Sequence, residues 1–437
     1  MLKLLNSIFS NTLYPEVWSQ NFLKPIFKKG TVTSPDNYRG LAISSNFAKL
    51  FSLILLGRLD NLVEKHKMIS TNQIGFMKGS RTSDHIFLLQ TIVDKVVKKA
   101  NGRLYTAFID FKKAYDTVDR KILFERLQTL GIAGIFLRNL KSLYGKTEYR
   151  ITYRDGHLDA IESNMGLKQG CPLSPILFNL YIDDIKDTFD DSCDPVSIDS
   201  SPLNHILYAD DLVLISHTKE GLQSCIDKLS AFSDRKRITI SHTKSKIMIF
   251  NKTGRSIKEE FKVNNQKLET VKSFCYLGYD FNASGSLTNT INILADKALK
   301  AMRPIQNVIA RFCLPAKLSI RLFNTYVTPI ILYNVENWAI LSHKTIQDFS
   351  INTFMSKVND SKASMIQRRF LKYILGLTKS CPNLAVMGET NETPLMLKGY
   401  WVSNLSNENL AKKALNKNIT LRLIGFAQLK NVLTFLM

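Results

Sequence analysis

Two adjacent aspartates, Asp210 and Asp211, interrupt the apolar run "HILYADDLVLIS" (His205 to Ser216), and a third, Asp110, ends the apolar run "LYTAFID". An unpaired buried carboxylate is costly and normally protonates or recruits a cation. Side chains alternate across a strand, so Asp210 and Asp211 converge on one spot only if the chain turns there, which the small Ala209 allows. If the two runs are neighbouring strands of one sheet, three carboxylates gather at one end. Their mutual repulsion raises their pKa values unless divalent cations neutralise them. Hard oxygen ligands suit Mg²⁺, and two such ions about 3.5–4 Å apart are a general solution for in-line attack at phosphorus. A lone Asp such as Asp110 is as readily a cap or turn residue, but a pair inside an apolar hairpin is poorly explained that way.

These carboxylates need rigid elements beneath them. "RLYTAFIDF" is suited to a buried strand, and "NHILYADDLVLIS" reads as strand, turn, strand. "KIMIF" and "FCYLGYDF" read as further strands, and "EYRITYRDGHLDAIES" as two strands joined at Asp155-Gly156. Helical periodicity marks "NFAKLFSLILLGRLDNLVEKH", "SDHIFLLQTIVDKVVKKA" with Ser83 or Asp84 as its cap, "DRKILFERLQTLG" ended by Gly131, "SPILFNLYIDDIKDTF" and "KEGLQSCIDKLSAFSDR". Ser192 to Pro202 reads as a polar loop. From about Thr288 the pattern is helical, so an α+β domain is followed by helical modules.

Composition narrows the partner. The chain has 437 residues, 45% of them hydrophobic, enough for a sizeable core in about two to three domains. Lys and Arg number 59 against 37 Asp and Glu, a net charge of +22, which points to a polyanion and to nucleic acid ahead of membrane. Carboxylate cluster plus basic chain suggests nucleotidyl transfer on a nucleic acid. Six dispersed cysteines without a CxxC pair read as reduced thiols of an intracellular protein. The N-terminus lacks signal-peptide features, and "YVTPIILYNVENWAILS" is a poor membrane span because Pro329, Asn334, Glu336 and Asn337 interrupt it.

"AFIDFKKAYDTVDR", "GLKQGCPLSPILFNLYIDD", "YADD", "SHTKSKIMIF" and "YLG" follow one another in the order of the palm motifs of reverse transcriptases. With "NYRGLAI" and "QIGFMKGSRTSDHIFLLQTIVD" they most resemble those of non-LTR, LINE-type retrotransposons, over roughly residues 20 to 300. The resemblance implies an α+β right-hand polymerase: fingers over 1–103, a palm with antiparallel sheet over 104–285, a helical thumb over 286–345 and a mostly helical region over 346–437. It implies RNA-directed DNA polymerase activity, with an RNA template, a DNA primer and dNTPs as partners and no membrane. Two Mg²⁺ ions, or Mn²⁺ in their place, are the implied cofactors, and nucleus and cytoplasm the implied locations.

Residue by residue, the resemblance makes Asp110, Asp210 and Asp211 catalytic and metal-binding, with the Phe111 carbonyl as a further metal ligand. Tyr115 falls at the steric-gate position, where a ring under the sugar excludes a 2′-OH; a core aromatic is the plain alternative. Gln169 sits by a Gly-rich turn where it could bond a nucleotide or simply stabilise its loop. Lys28 or Lys29, with Arg39, match positions that hold the triphosphate, against a solvated basic face for the lysines. Lys244 resembles the lysine that protonates departing pyrophosphate, with Lys246 as a near neighbour. Tyr276, Leu277 and Gly278 match the primer grip, though Tyr276 also suits ordinary packing. Asp116 reads as a cap for the following helix, and Lys297, Lys300 and Arg303 as a thumb clamp on the duplex or as one face of an amphipathic helix.

Departures are Met77 where the family commonly has a basic residue, Ser241 where Asn is usual, and "GETNETPL" near the tail. The chain begins shortly before the fingers motif, which reads as a copy lacking the endonuclease. An inactive or repurposed copy that binds RNA or RNA–DNA hybrid is therefore the competing reading, and binding without incorporation would distinguish it. An RNA-dependent RNA polymerase shares the palm carboxylates, but the bulky Tyr115 and "YADD" oppose it, and a preference for rNTPs would revive it.

Overall fold

An alternation of short strands and long helices places one six-stranded sheet at the centre of the chain. The computed structural model describes residues 1–28, 30–153, 156–198, 201–335, 337, 361–395 and 398–399. Helix α1 (Leu2–Asn11) precedes two antiparallel strands, β1 (Gln20–Phe27) and β2 (Tyr38–Ile43), in which Ile26 lies opposite Arg39. Helix α2 (Asn46–His66) starts where the Ser45 hydroxyl accepts the Ala48 N–H, and buries Ala48, Phe51, Leu55, Leu59 and Val63 at helical spacing. Helix α3 (Thr82–Val97) starts earlier than expected: Ser83 and Asp84 lie in its first turn, and Asp84 caps from within by accepting the Arg81 N–H at 2.9 Å.

Strand β3 (Arg103–Ile109) is buried at every residue after Arg103, as in a strand covered on both faces. Helix α4 (Arg120–Thr129) is capped not by Asp116 but by Asp119, which accepts the Lys121 and Ile122 N–H groups. Helix α5 (Gly134–Gly145) leads to β4 (Glu148–Tyr153), which pairs in parallel with β1 and antiparallel with the short β5 (Gly156–His157) and β6 (Ile161–Glu162). The expected Asp155-Gly156 hairpin tip lies partly outside the described residues. Helix α6 (Ser174–Ile182) follows, and the stretch expected as a loop contains a small hairpin, β7 (Val196–Ile198) and β8 (Ser201–Leu203).

Strands β9 (His205–Tyr208) and β10 (Asp211–Ser216), helix α7 (Lys219–Lys236), and β11 (Lys246–Asn251), β12 (Phe261–Val263) and β13 (Gln266–Thr270) complete the palm sheet, in the order β12-β13-β11-β3-β10-β9. Residues of one face, Ala107, Ile109, Leu212 and Leu214, pack with α2, α4, α5, α6 and α7. Those of the other, Phe108, Val213, Ile215 and Met248, pack with α3 and with the hairpin of β14 (Ser273–Tyr276) and β15 (Tyr279–Asn282).

The second core continues into helices α8 (Thr288–Phe312), α9 (Ala316–Tyr326), α10 (Thr328–Ile331), α11 (Lys362–Ile374) and α12 (Asn383–Thr390). Along α8, Leu294, Ala298, Met302 and Ile309 form the buried stripe, and Phe323 of α9 stacks on Phe370 of α11 at 4.5 Å. Of the region expected to be a helical C-terminal module, residues 346–360 and 400–437 lie outside the described residues, as does the end of the thumb assignment from 338 to 345. Among the described residues no helix is long and apolar enough to cross a membrane, and all six cysteines are free.

Candidate active site

The antiparallel pairing of β3 with β10 sets Ile109 opposite Leu212 and Phe108 opposite Val213. One step further along that register, Asp211 comes beside Asp110, on the face that carries the β14–β15 hairpin. Asp210 occupies the two-residue turn between β9 and β10 with Ala209, whose φ of +55° is the left-handed geometry that the short turn demands. The hairpin thus brings together the three carboxylates expected to converge.

Each carboxylate has its own surroundings. The Asp110 amide donates to Ser245 Oγ at 3.1 Å and its carbonyl accepts the Ser241 N–H at 2.8 Å, so its backbone is held on both sides. Its Oδ2 is buried, makes no hydrogen bond, and lies 3.5 Å from Lys244 Nζ. Burial raises the Asp210 pKa and the charge of Asp110 adds to the shift, while Arg39 and Lys28 oppose it. Among the described residues no cation lies within 4 Å of Asp210. Solvent reaches Asp211, yet the surrounding palm desolvates it and, with Asp210 and Asp110, pushes its pKa up to about 6.

The basic residues of the fingers face this cluster. Lys28 is pushed down in pKa by partial burial and by Arg39 and Lys244, and drawn back by Asp116 and Asp110, so the charges of these groups reach one another. Lys29, the alternative to Lys28, lies outside the described residues. The lysine pair at 244 and 246 is separated: Lys246 bonds Glu269 at 2.8 Å and the Thr243 carbonyl at 2.6 Å, while Lys244 turns to Asp110.

Tyr115 stacks on Phe178 at 4.7 Å, and its buried hydroxyl makes no hydrogen bond. Burial and then the charge of Asp210 raise its pKa, which puts the ring within electrostatic reach of the carboxylates. Gln169 Nε2 donates to Asp116 Oδ1 at 2.8 Å, and the Gln169 carbonyl accepts the Ala42 N–H at 2.7 Å, docking its loop on β2. Gly170 is required there, because at its φ of +115° a Cβ would lie 2.8 Å from the Ala42 carbonyl oxygen. The base of this loop is held by Arg120, whose buried guanidinium donates to the carbonyls of Tyr144, Ser163, Met165 and Gly166.

Phe111 is buried and bridges Ile240 through the Asp110 carbonyl and the Lys112 N–H, leaving its own carbonyl outside the bridge. Of the expected primer-grip residues, Tyr276 is enclosed, with its hydroxyl 3.5 Å from His85 Nδ1. Leu277 and Gly278 form the hairpin turn, at φ +48° and +80°, and Tyr333 Oη donates to the Leu277 carbonyl at 2.5 Å. The Asp211 charge reaches Tyr276, so this hairpin stands beside the carboxylates. In the thumb, Lys297 is paired with Asp280 at 3.2 Å.

The donor set suits a hard divalent ion. Asp110 Oδ2 is buried without a hydrogen bond, and Asp210 has no cation at contact distance. Among the described residues no group of three Asp, Glu, His or Cys side chains stands close enough together to hold a metal ion by itself. Mg²⁺ does not require one, since it commonly takes one or two carboxylates and completes its octahedron with water and substrate phosphate.

A sheet with carboxylates at the tip of a buried hairpin, basic strands opposite and a helical thumb packed behind defines a right-hand nucleic-acid polymerase. Residues 26–281 match the family described as reverse transcriptase (RNA-dependent DNA polymerase), and the chain belongs to that family. The curated proteins it resembles are named as proteins of retrotransposable elements and transposons. A retrovirus-related Pol polyprotein from the type-1 retrotransposable element R2 of Nasonia vitripennis is 25% identical over 69% of this chain and 30% of its own length. A probable RNA-directed DNA polymerase from transposon BS of Drosophila melanogaster is 22% identical over 81% and 40%. The chain therefore spans less than half the length of either relative. Among solved structures, apo telomerase from Candida tropicalis aligns with a TM-score of 0.44 and 14% identity, over 98% of this chain and 73% of that one.

The sequence reading missed Arg120 and Tyr333, and assigned no role to Gln73. Gln73 and Arg120 each carry a signal, as polar residues inside the quoted "QIGFMKGSRTSDHIFLLQTIVD" and "AFIDFKKAYDTVDR".

Proposed function

We propose that this chain is an RNA-directed DNA polymerase that adds dNTPs to a DNA primer 3′-OH on an RNA template. The observation that carries the reading is the meeting of Asp110, Asp210 and Asp211 at one end of the palm sheet, with a buried, unbonded Asp110 oxygen and the fingers' Lys28 and Arg39 facing them. Mg²⁺, held by the aspartates with the Phe111 carbonyl as a further donor, would supply charge neutralisation and activation of the primer hydroxyl, and Mn²⁺ could replace it.

The chain's own residues do the rest. Arg39 and Lys28 bind the triphosphate by charge-assisted hydrogen bonds. The Tyr115 ring, backed by Phe178, closes the space a 2′-OH would need, and Gln169 fixes the nucleotide from the docked loop. Lys244 Nζ donates a proton to the departing pyrophosphate. The Leu277-Gly278 turn presses the primer end toward the aspartates. Base pairing selects the nucleotide, so the protein needs mainly sequence-independent phosphate contacts, which its +22 charge supports.

The proposed division is fingers 1–103, palm 104–285, thumb 286–345 and a helical region 346–437, and the proposed setting is nucleus and cytoplasm. The test is extension of a DNA primer on matched RNA and DNA templates with dNTPs or rNTPs in Mg²⁺. Extension on RNA with dNTPs supports the reading; salt-dependent hybrid binding without incorporation contradicts it.

A further inference from the structure

We infer that Gln73 is a positioning residue for the Asp210–Asp211 hairpin, tying a fingers segment to the catalytic turn. The inference rests on the polymerase reading for its kinetic consequence, but on geometry alone for the contact itself.

The segment Asn72–Gly75 lies along the edge of the palm sheet. The Leu207 N–H donates to the Asn72 carbonyl at 2.9 Å, the Ile74 N–H donates to the Leu207 carbonyl at 3.1 Å, and Gln73 pairs in parallel with Leu207. From that edge the buried Gln73 side chain reaches the turn. Its Oε1 accepts the Ala209 N–H and the Gly75 N–H, each at 2.9 Å, and its Nε2 donates to the Ala209 carbonyl at 3.2 Å. The amide orientation is set by this network, because the flipped form would turn an NH₂ group toward two N–H donors.

Both backbone groups of the residue that carries the turn's positive φ are therefore bound by one side chain. An L-residue such as Ala209 at φ +55° is strained, and such a geometry persists only where the surroundings hold it. Gly75 is part of the same device: a Cβ on it would lie 2.2 Å from the Ala209 nitrogen, so only glycine lets the segment approach this closely. The Gly75 carbonyl is in turn fixed by Asn179 Nδ2 of α6 at 2.6 Å. The chain of contacts runs from α6 through Gly75 and Gln73 to Ala209, the residue immediately before Asp210. Without it the aspartates keep their strands but lose the register of their tip.

The test combines amide hydrogen exchange across the palm with steady-state primer extension for wild type, Gln73→Met and Gln73→Glu. Met keeps the volume and removes all three hydrogen bonds; Glu keeps the two that its oxygens accept and loses the one to the Ala209 carbonyl. Gln73→Met is expected to speed exchange of residues 208–211 about tenfold or more relative to β3 and β11. It should also lower kcat by roughly 10- to 100-fold, as loss of outer-shell support typically does, with the KM for dNTP within about threefold of wild type. Gln73→Glu turns a buried carboxylate oxygen toward the Ala209 carbonyl oxygen, so at neutral pH it too should speed exchange at 208–211 and lower kcat by at least as much, and it decides the matter should the Met variant fail to fold. Exchange at 208–211 that is unchanged, or that rises evenly over the whole palm sheet, overturns the inference. If the wild type itself extends no primer, the polymerase reading fails while the exchange comparison still decides on Gln73.

Discussion

Lys244 Nζ stands 3.5 Å from the unbonded Oδ2 of Asp110, whereas Lys246, two residues on, is held by Glu269 and the Thr243 carbonyl. Only Lys244 is free to turn from the carboxylate to a departing pyrophosphate. Lys244→Met is therefore expected to lower kcat about 100-fold, the usual scale of a lost general acid, and Lys246→Met to change it only a few-fold. Pre-steady-state incorporation rates of the two variants check this, and equal losses would contradict it.

The Tyr115 ring and its hydroxyl separate in effect, because the ring stacks on Phe178 while the buried hydroxyl makes no hydrogen bond. Tyr115→Phe should leave stability within about 1 kcal/mol of wild type and keep the preference for dNTPs. Tyr115→Ala should cost about 3 kcal/mol and weaken discrimination against rNTPs at least about tenfold. Competition between dNTP and rNTP incorporation provides the readout; unchanged discrimination in the Ala variant would mean that the ring is only a core aromatic.

Arg120 donates to four backbone carbonyls at the base of the Gln169 loop. Arg120→Met leaves the buried Tyr144 and Gly166 carbonyls without this donor, while those of the less enclosed Ser163 and Met165 can turn to water, and is expected to cost about 2–3 kcal/mol. Denaturant unfolding measures this, and a loss under about 1 kcal/mol would show that the loop finds other donors.

The same contrast between local and distant contacts marks what was legible in the sequence. The three aspartates, the β9–β10 hairpin and helices α2, α3, α4, α6 and α7 follow from short-range patterns: apolar runs, helical spacing, and charges where charge is costly. The lateral order of the sheet does not, since β1 pairs in parallel with β4 across more than a hundred residues. Nor do β12 and β13, whose few apolar residues lie among Lys, Asn and Gln and carry no alternating run long enough to mark a strand. Asp116 reads as a cap because it lies shortly before a helix, but residues 112–117 form turns and the helix starts only after Asp119, which takes that role and leaves Asp116 to Gln169. Gln73 and Arg120 act on backbone groups far away in sequence, and no local pattern announces such partners.

The raised pKa of Asp211 makes a signed prediction for the metal-free protein. An isolated Asp titrates near 3.9, roughly two units below the folded value of about 6. Above pH 6 the group is charged in both states and the folded state carries the whole unfavourable interaction. As pH falls from 6 toward 4, the folded protein takes up a proton that the unfolded chain does not, and the interaction is relieved. Asp211→Asn should therefore raise the thermal midpoint at pH 8, and the gain should disappear between about pH 6 and pH 4. A gain of equal size at pH 8 and pH 4 would mean that Asp211 is not strained by its charge. Added Mg²⁺ should raise the midpoint of the wild type more than that of the variant.

The most direct measurement is primer extension on an RNA template with dNTPs and Mg²⁺, comparing wild type with Asp210→Asn, alongside hybrid binding by both. The expected result is template-dependent DNA synthesis by the wild type, a loss of about 1,000-fold or more in the variant, as for removal of a central charged group of an active site, and hybrid binding retained by both. Synthesis at wild-type rate by the Asp210→Asn protein, or a folded wild type that binds the hybrid and adds no nucleotide, would contradict the account.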